Sequence, residues 1–224
     1  MLGLTPPPLP RLRQERIVLV PLLLGHLFAG AFLHNLAIGV GALRQPALHS
    51  VAELVLPIAR LFEAFALMRV LAVVILLMVI LATLRGRGLS RMLDLCGALL
   101  LVRCAAQFLV LNLLLLAPLR SGGLLLAQLV LFLPVITVVF GWLYWRMDTG
   151  ARRQGRSHLH LQEGDRPPGL FDYFHVAATT LVQFEPSGAS ADTRLMKALF
   201  LLHGVVMLDL VALTLSRAIA LAAA

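Results

Sequence analysis

Long apolar runs constrain this chain more than any other feature of its sequence. A helix that crosses a bilayer needs roughly 20 mostly apolar residues, and longer runs can cross with some tilt. The first run exceeds the apolar core of a signal peptide and follows a Pro-rich leader, so we expect it to be retained. The sequence therefore predicts an all-α integral membrane protein with five transmembrane helices, at Ile17–Leu43, Ala59–Leu84, Met92–Ala117, Ser121–Met147 and Leu195–Leu221.

The composition excludes a soluble domain of this length. Hydrophobic residues make up 60% of the chain and charged residues 13%, and the mean hydropathy is +0.92. A soluble protein of this size would need far more polar residues to cover its core. The net charge of +8 comes from short basic clusters between apolar runs, which argues against nucleic-acid binding and makes the lipid bilayer the expected partner.

The distribution of arginines predicts the orientation of the chain. They precede the first span, separate the second from the third, and follow the fourth: Arg11, Arg13, Arg16, Arg85, Arg87, Arg91, Arg146, Arg152, Arg153, Arg156 and Arg166. The opposite side carries only Arg44, Arg60 and Arg120. Because loops rich in Lys and Arg stay in the cytoplasm, we expect a cytoplasmic N-terminus and, with five spans, an external C-terminus.

The segment Gly169–Gly188, GLFDYFHVAATTLVQFEPSG, is too short and too polar to cross a membrane. Asp172 is a candidate cap for a helix that runs to about Val182, and the sequence after Phe184 is typical of a turn. A second candidate cap, Asp192-Thr193, precedes the last span. We therefore expect a re-entrant half-helix before the final transmembrane helix, hidden in protein or in a wet cavity.

This order of outer span, half-helix, turn and inner span resembles the pore module of the potassium-channel superfamily. Thr179-Thr180-Leu181-Val182-Gln183-Phe184-Glu185 falls where that family has Thr-Thr-Val-Gly-Tyr-Gly-Asp. Val182 and Phe184 replace the glycines whose backbone aims carbonyls at potassium, so we expect no potassium-selective filter. Potassium-channel loops enter from outside, whereas the arginines predict a loop on the cytoplasmic side.

A second resemblance covers roughly residues 138–221. It rests on Tyr173-Phe174, the Gln183 region, Thr193-Arg194 and Leu202-His203-Gly204, and Asp209 departs from it where a small polar or amide residue is expected. These residues are similar to those of an uncharacterised family of bacterial polytopic membrane proteins with a pore-loop-like C-terminal half. The resemblance implies a multi-pass protein of the bacterial inner membrane.

These features divide the chain into three parts. We expect a Pro-rich cytoplasmic leader at 1–16, a three-span bundle at 17–117 and a pore-module-like unit at 121–224. Within the last unit we expect an outer span at 121–147, a basic loop at 148–168, a half-helix and turn at 169–188 and an inner span at 194–222.

Ionisable groups inside a membrane are costly and are therefore candidates for function. Arg103 and Asp209 lie near the middles of their spans, where they can form an ion pair that fixes helix register or take part in ion or proton passage. His203 can belong to a proton-sensitive site or bond to a neighbouring helix. Gln107 and Asn112 are candidates for hydrogen bonds between helices.

The sequence carries no recognised motif of an enzyme or of a cofactor site. It has no catalytic triad order, phosphate-binding glycine loop, zinc-type cysteine pair or haem-attachment motif. The two cysteines, Cys96 and Cys104, lie about 12 Å apart along one helix and cannot form a disulfide. We therefore expect no catalytic residues, no metal and no cofactor.

The sequence leaves two functions open. The first is a channel-like homo-oligomer that passes a monovalent cation, in which Glu185 carboxylates form a ring and Thr179, Thr180 and Gln183 complete the pore loop. The second is a non-conducting membrane bundle or subunit, in which the loop is a structural plug or docks a partner.

Overall fold

The computed structural model describes residues 11–42, 89–116, 123–161, 168–184, 186 and 188–222. These residues form six α-helices, one π-helical segment and two short strands. The helices are α1 (Arg11–Ala42), α2 (Leu89–Leu116), α3 (Gly123–Arg152), α4 (Leu170–Gln183), α5 (Arg194–Asp209) and α6 (Ser216–Ala222). The strands are β1 (Leu159–Leu161) and β2 (Ala189–Ala191), and the π-helical segment Leu210–Leu215 joins α5 to α6 into one continuous final helix.

Within this part of the chain, four stretches are long and apolar enough to cross a membrane. They are Ile17–Leu36, Ser90–Leu113, Gly123–Arg152 and Arg194–Leu221. They correspond to four of the five predicted spans, and the fifth, Ala59–Leu84, lies outside the described residues. The predicted leader, 1–16, is described only from Arg11, where α1 already begins.

The core lies where α3 packs against α1 and α2. Close approach is possible because Gly25 of α1 faces Leu100 of α2 and Val138 of α3, as expected for a small residue at a membrane helix interface. Gly97 of α2 faces the indole ring of Trp142 on α3 in the same way.

Contacts along the helices fix their relative directions. On α1, His26 bonds to Cys96 of α2, and Ala29, further along α1, bonds to Gln107, further along α2. The two helices are therefore parallel, so the end of α1 and the start of α2 lie at opposite ends of the bundle. Helix α3 runs antiparallel to α1. Its residue Val138 contacts Gly25, and Arg153, just beyond the end of α3, lies 3.9 Å from Glu15 near the start of α1.

One end of the bundle, which we call the Arg152 end, collects the starts of α1, α2 and α5 and the end of α3. Two ion pairs join helices there, Arg146–Asp94 and Arg153–Glu15. The amide of Asp192, just before α5, donates to the carbonyl of His158. Most described cationic side chains belong to segments at this end: Arg91, Arg146, Arg152, Arg153, Arg156, Arg194 and Lys197.

Two elements of the structure cross or interrupt the boundaries predicted for the pore-module-like unit. The outer span was expected to end at residue 147, but α3 continues to Arg152. The following segment, expected to be a solvated loop, contains β1, which pairs antiparallel with β2 in the register Leu159–Ala191. The fold is therefore not purely helical, although the ribbon is only three residues long on each side.

Candidate functional site

The N-cap residue of helix α4 lies three positions earlier in the chain than the sequence indicates. Asp172 was expected to cap the helix directly, but the N-cap is Gly169. The Asp172 carboxylate instead accepts a hydrogen bond from the backbone amide of Gly169 at 2.7 Å. An acid in the first turn also interacts favourably with the positive end of the helix dipole.

The carboxylate of Asp148 ties α4 to the Arg152 end of α3. It is fully buried and accepts hydrogen bonds from the Tyr173 hydroxyl at 2.6 Å and from the backbone amides of His158 and Leu159 at 2.8 and 3.0 Å. It also forms an ion pair with Arg152, one turn further along α3. A carboxylate near the negative end of a helix is unfavourable by itself, and these donors offset that cost.

Tyr173 brings a neutral donor to this cluster. Its side chain is fully buried, and burial, together with the hydrogen bond to Asp148, raises the pKa of its hydroxyl above the usual value of 10.0. The phenol therefore keeps its proton at neutral pH and donates to the carboxylate. We call Asp148, Arg152, Tyr173 and the two backbone amides the Asp148 cluster.

Helix α4 packs closely against α3 and the final helix. Its buried side chains are Tyr173, Val176, Ala177 and Thr180. The ring of Phe174 lies where a side chain at Gly141 of α3 would stand, and the carbonyl oxygen of Phe184 lies 2.8 Å from the position of a Cβ on Gly204. Both contacts require glycine on the facing helix.

The predicted pore-loop residues belong mostly to the helix itself. The hydroxyls of Thr179 and Thr180 both donate to the carbonyl of Val176, at 3.0 and 2.8 Å. Gln183, the last residue of α4, is exposed, and Glu185 lies outside the described residues. Phe184 ends the helix with a left-handed backbone at φ 59°, and its amide donates to the Thr180 carbonyl. The backbone from Thr179 to Gln183 is thus helical rather than extended.

His203 lies in an aromatic cluster between α3 and α5. Its Nδ1 is 2.9 Å from the hydroxyl of Tyr144, and its ring stacks on Phe140 with centroids 3.8 Å apart. This contact joins His203 to a neighbouring helix, and a role of His203 in a proton-sensitive site stays a prediction. Its Nε2 is buried and has no partner among the described residues.

Arg103 and Asp209, expected to pair with each other, bond to different neighbours. Arg103 Nη1 donates to Nδ1 of His26 at 3.0 Å, and Asp209 accepts from the amide of Asn112 at 3.1 Å. The ion-pair hypothesis is therefore wrong in this structure, because α1 supplies the group that α5 was expected to supply. The expected role of Gln107 and Asn112 between helices is confirmed, since Gln107 donates to the Ala29 carbonyl at 2.8 Å.

Sequence reasoning missed Asp148 and Tyr144. Asp148 was assigned to a loop, although an acid four residues before Arg152 at the end of an apolar run is a signal for a helical ion pair. Tyr144 lies near the end of the predicted outer span at 121–147, and its side chain is fully buried. Its hydrogen-bonding partner lies 59 residues away in the chain, so local pattern could not identify it.

Among the described residues, no group of three or more His, Cys, Asp or Glu side chains is placed to hold a metal ion. Comparison of the chain with protein-family models, with curated proteins and with solved structures finds no match.

Proposed function

We propose that this chain is a polytopic membrane protein in which α4 is a re-entrant half-helix that plugs a pore-module-like unit formed by α3 and the final helix. One observation carries the proposal. The chain leaves β1 and returns at β2, its antiparallel neighbour, so the segment between the two strands starts and ends at the same place. Within that segment, the Phe184 carbonyl nevertheless reaches Gly204. Gly204 is about 15 Å along the final helix from Arg194, at about 1.5 Å per residue.

The contacts of α4 favour a non-conducting bundle. The hydroxyls of Tyr173, Thr179 and Thr180 all donate within the same chain. A filter of the carbonyl type needs extended backbone with free carbonyl groups, whereas the backbone at Thr179–Gln183 is helical. In this proposal α4 has a structural role: it fills the space between α3 and the final helix, and the Asp148 cluster holds it there.

A second candidate is a homo-oligomer that conducts a monovalent cation. It is favoured by the exposure of Gln183 at the tip of α4 and by the final helix, of which only 22% is buried within one chain. A pore of this kind would lie between copies, lined by the final helices. The ring of Glu185 carboxylates stays a prediction of this candidate.

The same proposal includes five spans and a cytoplasmic N-terminus. The parallel packing of α1 and α2 supports a further crossing, because the chain between them has to connect opposite ends of the bundle. The cationic residues at the Arg152 end support a cytoplasmic position for that end. The half-helix would then enter the inner membrane of a bacterium from the cytoplasmic side, whereas the loop of a potassium channel enters from outside.

The two candidates differ in oligomeric state and in ion flux. The purified chain should be measured by light scattering in detergent and, after reconstitution in liposomes, for flux of K⁺ and Na⁺. The plug proposal predicts a monomer, with flux equal to that of empty liposomes. The channel candidate predicts an oligomer whose cation flux falls in Glu185→Gln and is unchanged in the control Arg156→Gln, and that result would overturn the plug proposal.

A further inference from the structure

Three exposed cationic side chains at the Arg152 end are not paired with a carboxylate. Within the described part of the chain, no acidic side chain lies within ion-pair distance of Arg156, Arg194 or Lys197. At the same end, Arg146 and Arg153 each form an ion pair with another helix. The charge of the three unpaired side chains is therefore open to an anion from outside the chain. We call Arg156, Arg194 and Lys197 the Arg194 patch.

The ribbon of β1 and β2 brings the members of the Arg194 patch to one place. The Asp192 amide donates to the His158 carbonyl at 3.0 Å, which continues the antiparallel register of the ribbon. Arg156 precedes this bond by two residues and Arg194 follows it by two, so both emerge from the same end of the ribbon. Lys197 lies three residues after Arg194, on the same side of α5.

An exposed apolar stripe continues from these cations along α5. At about 100° per residue, Leu201, Val205 and Leu208 share the face of the helix that carries Arg194 and Lys197. Their side chains are 70%, 54% and 57% exposed. Leu208 lies roughly 16 Å along the axis from Lys197, which is close to half the hydrocarbon thickness of a bilayer, about 30 Å in total. The stripe therefore has the length of one lipid leaflet.

A phospholipid with a net negative headgroup matches this arrangement. Cations at the cytoplasmic surface attract anionic headgroups, and long Arg and Lys side chains reach a headgroup while their stems lie along apolar groups. The two cations in the first turn of α5 also face the positive end of the helix dipole, so a bound anion offsets an unfavourable contact. We propose that α5 binds an anionic phospholipid, with its phosphate at the Arg194 patch and an acyl chain along the stripe.

The charge of the patch favours an anionic lipid over a zwitterionic one. Asp192, just before α5, is exposed as well, but the three cations leave an excess of positive charge. This excess repels the amine of a zwitterionic headgroup, whereas an anionic headgroup carries no cation. The inference rests on the proposed position of the chain in a membrane and not on the structural role of α4.

Native mass spectrometry of the purified full-length chain in detergent tests the proposal. It measures the affinity for phosphatidylglycerol and for phosphatidylcholine with the same acyl chains. We expect the wild type to prefer phosphatidylglycerol, and Arg194→Gln and Lys197→Gln each to reduce that preference about fivefold. The matched control Arg217→Gln removes an exposed cation at the other end of the final helix and should keep the preference. Equal affinity of the wild type for both lipids, or an equal loss in the control, would overturn the proposal.

Two further measurements test the place of the acyl chain. Leu201→Ala removes apolar contact area and should weaken the binding of both lipids while their ratio stays the same; unchanged binding of both would contradict the proposal. Glycerol phosphate carries the anion without acyl chains, so displacement of phosphatidylglycerol by glycerol phosphate at equal concentration would also overturn it. Lipid affinity is measured per chain and without ion flux, so a failure of the plug proposal is distinguishable from a failure of this one.

Discussion

At the scale of single residues, buried polar groups are satisfied by neighbours that are far away in sequence. Asp148 receives donors from α3, from the segment after it and from α4, and so holds three parts of the chain together. Such a carboxylate stabilises the fold only while its donors are in place, because a buried charge without hydrogen-bonding partners raises the free energy of the folded state.

Removal of the Asp148 charge should lower stability markedly. We expect Asp148→Asn to reduce the free energy of unfolding by about 3 kcal/mol, since it breaks a buried charge network. Tyr173→Phe removes one hydrogen bond to a charged group and should cost about 1.5 kcal/mol. Thermal unfolding in detergent measures both, with Arg156→Gln, at an exposed position, as the control. Unfolding of Asp148→Asn at the same temperature as the control would contradict the assigned role.

The Tyr173 hydroxyl should resist ionisation while the protein is folded. Burial and the Asp148 carboxylate raise its pKa above 10.0, so the stability from this hydrogen bond is complete below about pH 10 and is lost as the pH rises through the higher folded value. The chain has 2 tyrosines, so Tyr144→Phe leaves Tyr173 alone for an ultraviolet titration. At pH 10 the folded variant should show little phenolate, whereas the denatured variant should be about half ionised. Equal phenolate absorbance in the two states would contradict the assignment.

At the scale of elements, glycines set how closely the helices approach. A Cβ on Gly97 would stand 2.1 Å from the indole of Trp142, so α2 and α3 can meet there only because Gly97 has no side chain. The sequence did not indicate that Gly97, Gly141 and Gly204 are close-contact positions, because each is required by a bulky group on another element: Trp142, Phe174 and the Phe184 carbonyl.

The contact at Gly97 gives a matched pair of substitutions. Gly97→Ala should destabilise the protein by about 1–3 kcal/mol, because the Trp142 ring has to move. Gly150→Ala, also in a helix, has no neighbour within 4 Å of its new Cβ and should be neutral or stabilising by up to about 1 kcal/mol. Thermal unfolding of the two variants side by side measures the difference. If Trp142→Phe fails to recover part of the Gly97→Ala loss, the clash is not its cause.

Hydropathy identified the described long helices but not all their ends or irregularities. Helix α3 passes the predicted boundary at 147 because Asp148 and Arg152 bond to each other across one helical turn. The final helix runs over its predicted length and carries the π-helical segment Leu210–Leu215, which no local pattern indicated. The N-cap at Thr193 was predicted, and its hydroxyl accepts from the Met196 amide at 3.4 Å.

At the scale of the whole molecule, the directions of the helices separate two ends of different charge. The Arg152 end gathers most of the described cations, and the far end of the final helix carries Arg217. The ribbon of β1 and β2 lies at the cationic end. In a bacterial membrane this difference predicts that the segments on both sides of α4 face the cytoplasm.

Cysteine labelling tests this topology. In a background with Cys96 and Cys104 replaced by alanine, single cysteines at Gln154 and Ser190 should react with a membrane-impermeant thiol reagent only from the cytoplasmic side. A cysteine at Ala220 should react only from outside. All three positions are exposed. Labelling of Gln154 and Ser190 from opposite sides would overturn the re-entrant half-helix, and a reversed pattern at all three would overturn the orientation.

By itself, the sequence predicted a membrane protein and identified four helices that are long and apolar enough to cross a membrane, because transfer of apolar runs into a membrane depends on local composition alone. It also indicated a short helix before the last one. Only the tertiary structure decided which polar groups meet: Arg103 with His26 rather than Asp209, Tyr173 with Asp148, and β1 with β2. These contacts depend on how the helices are arranged around α3, and that arrangement follows from the fit of whole surfaces, to which distant parts of the chain contribute together.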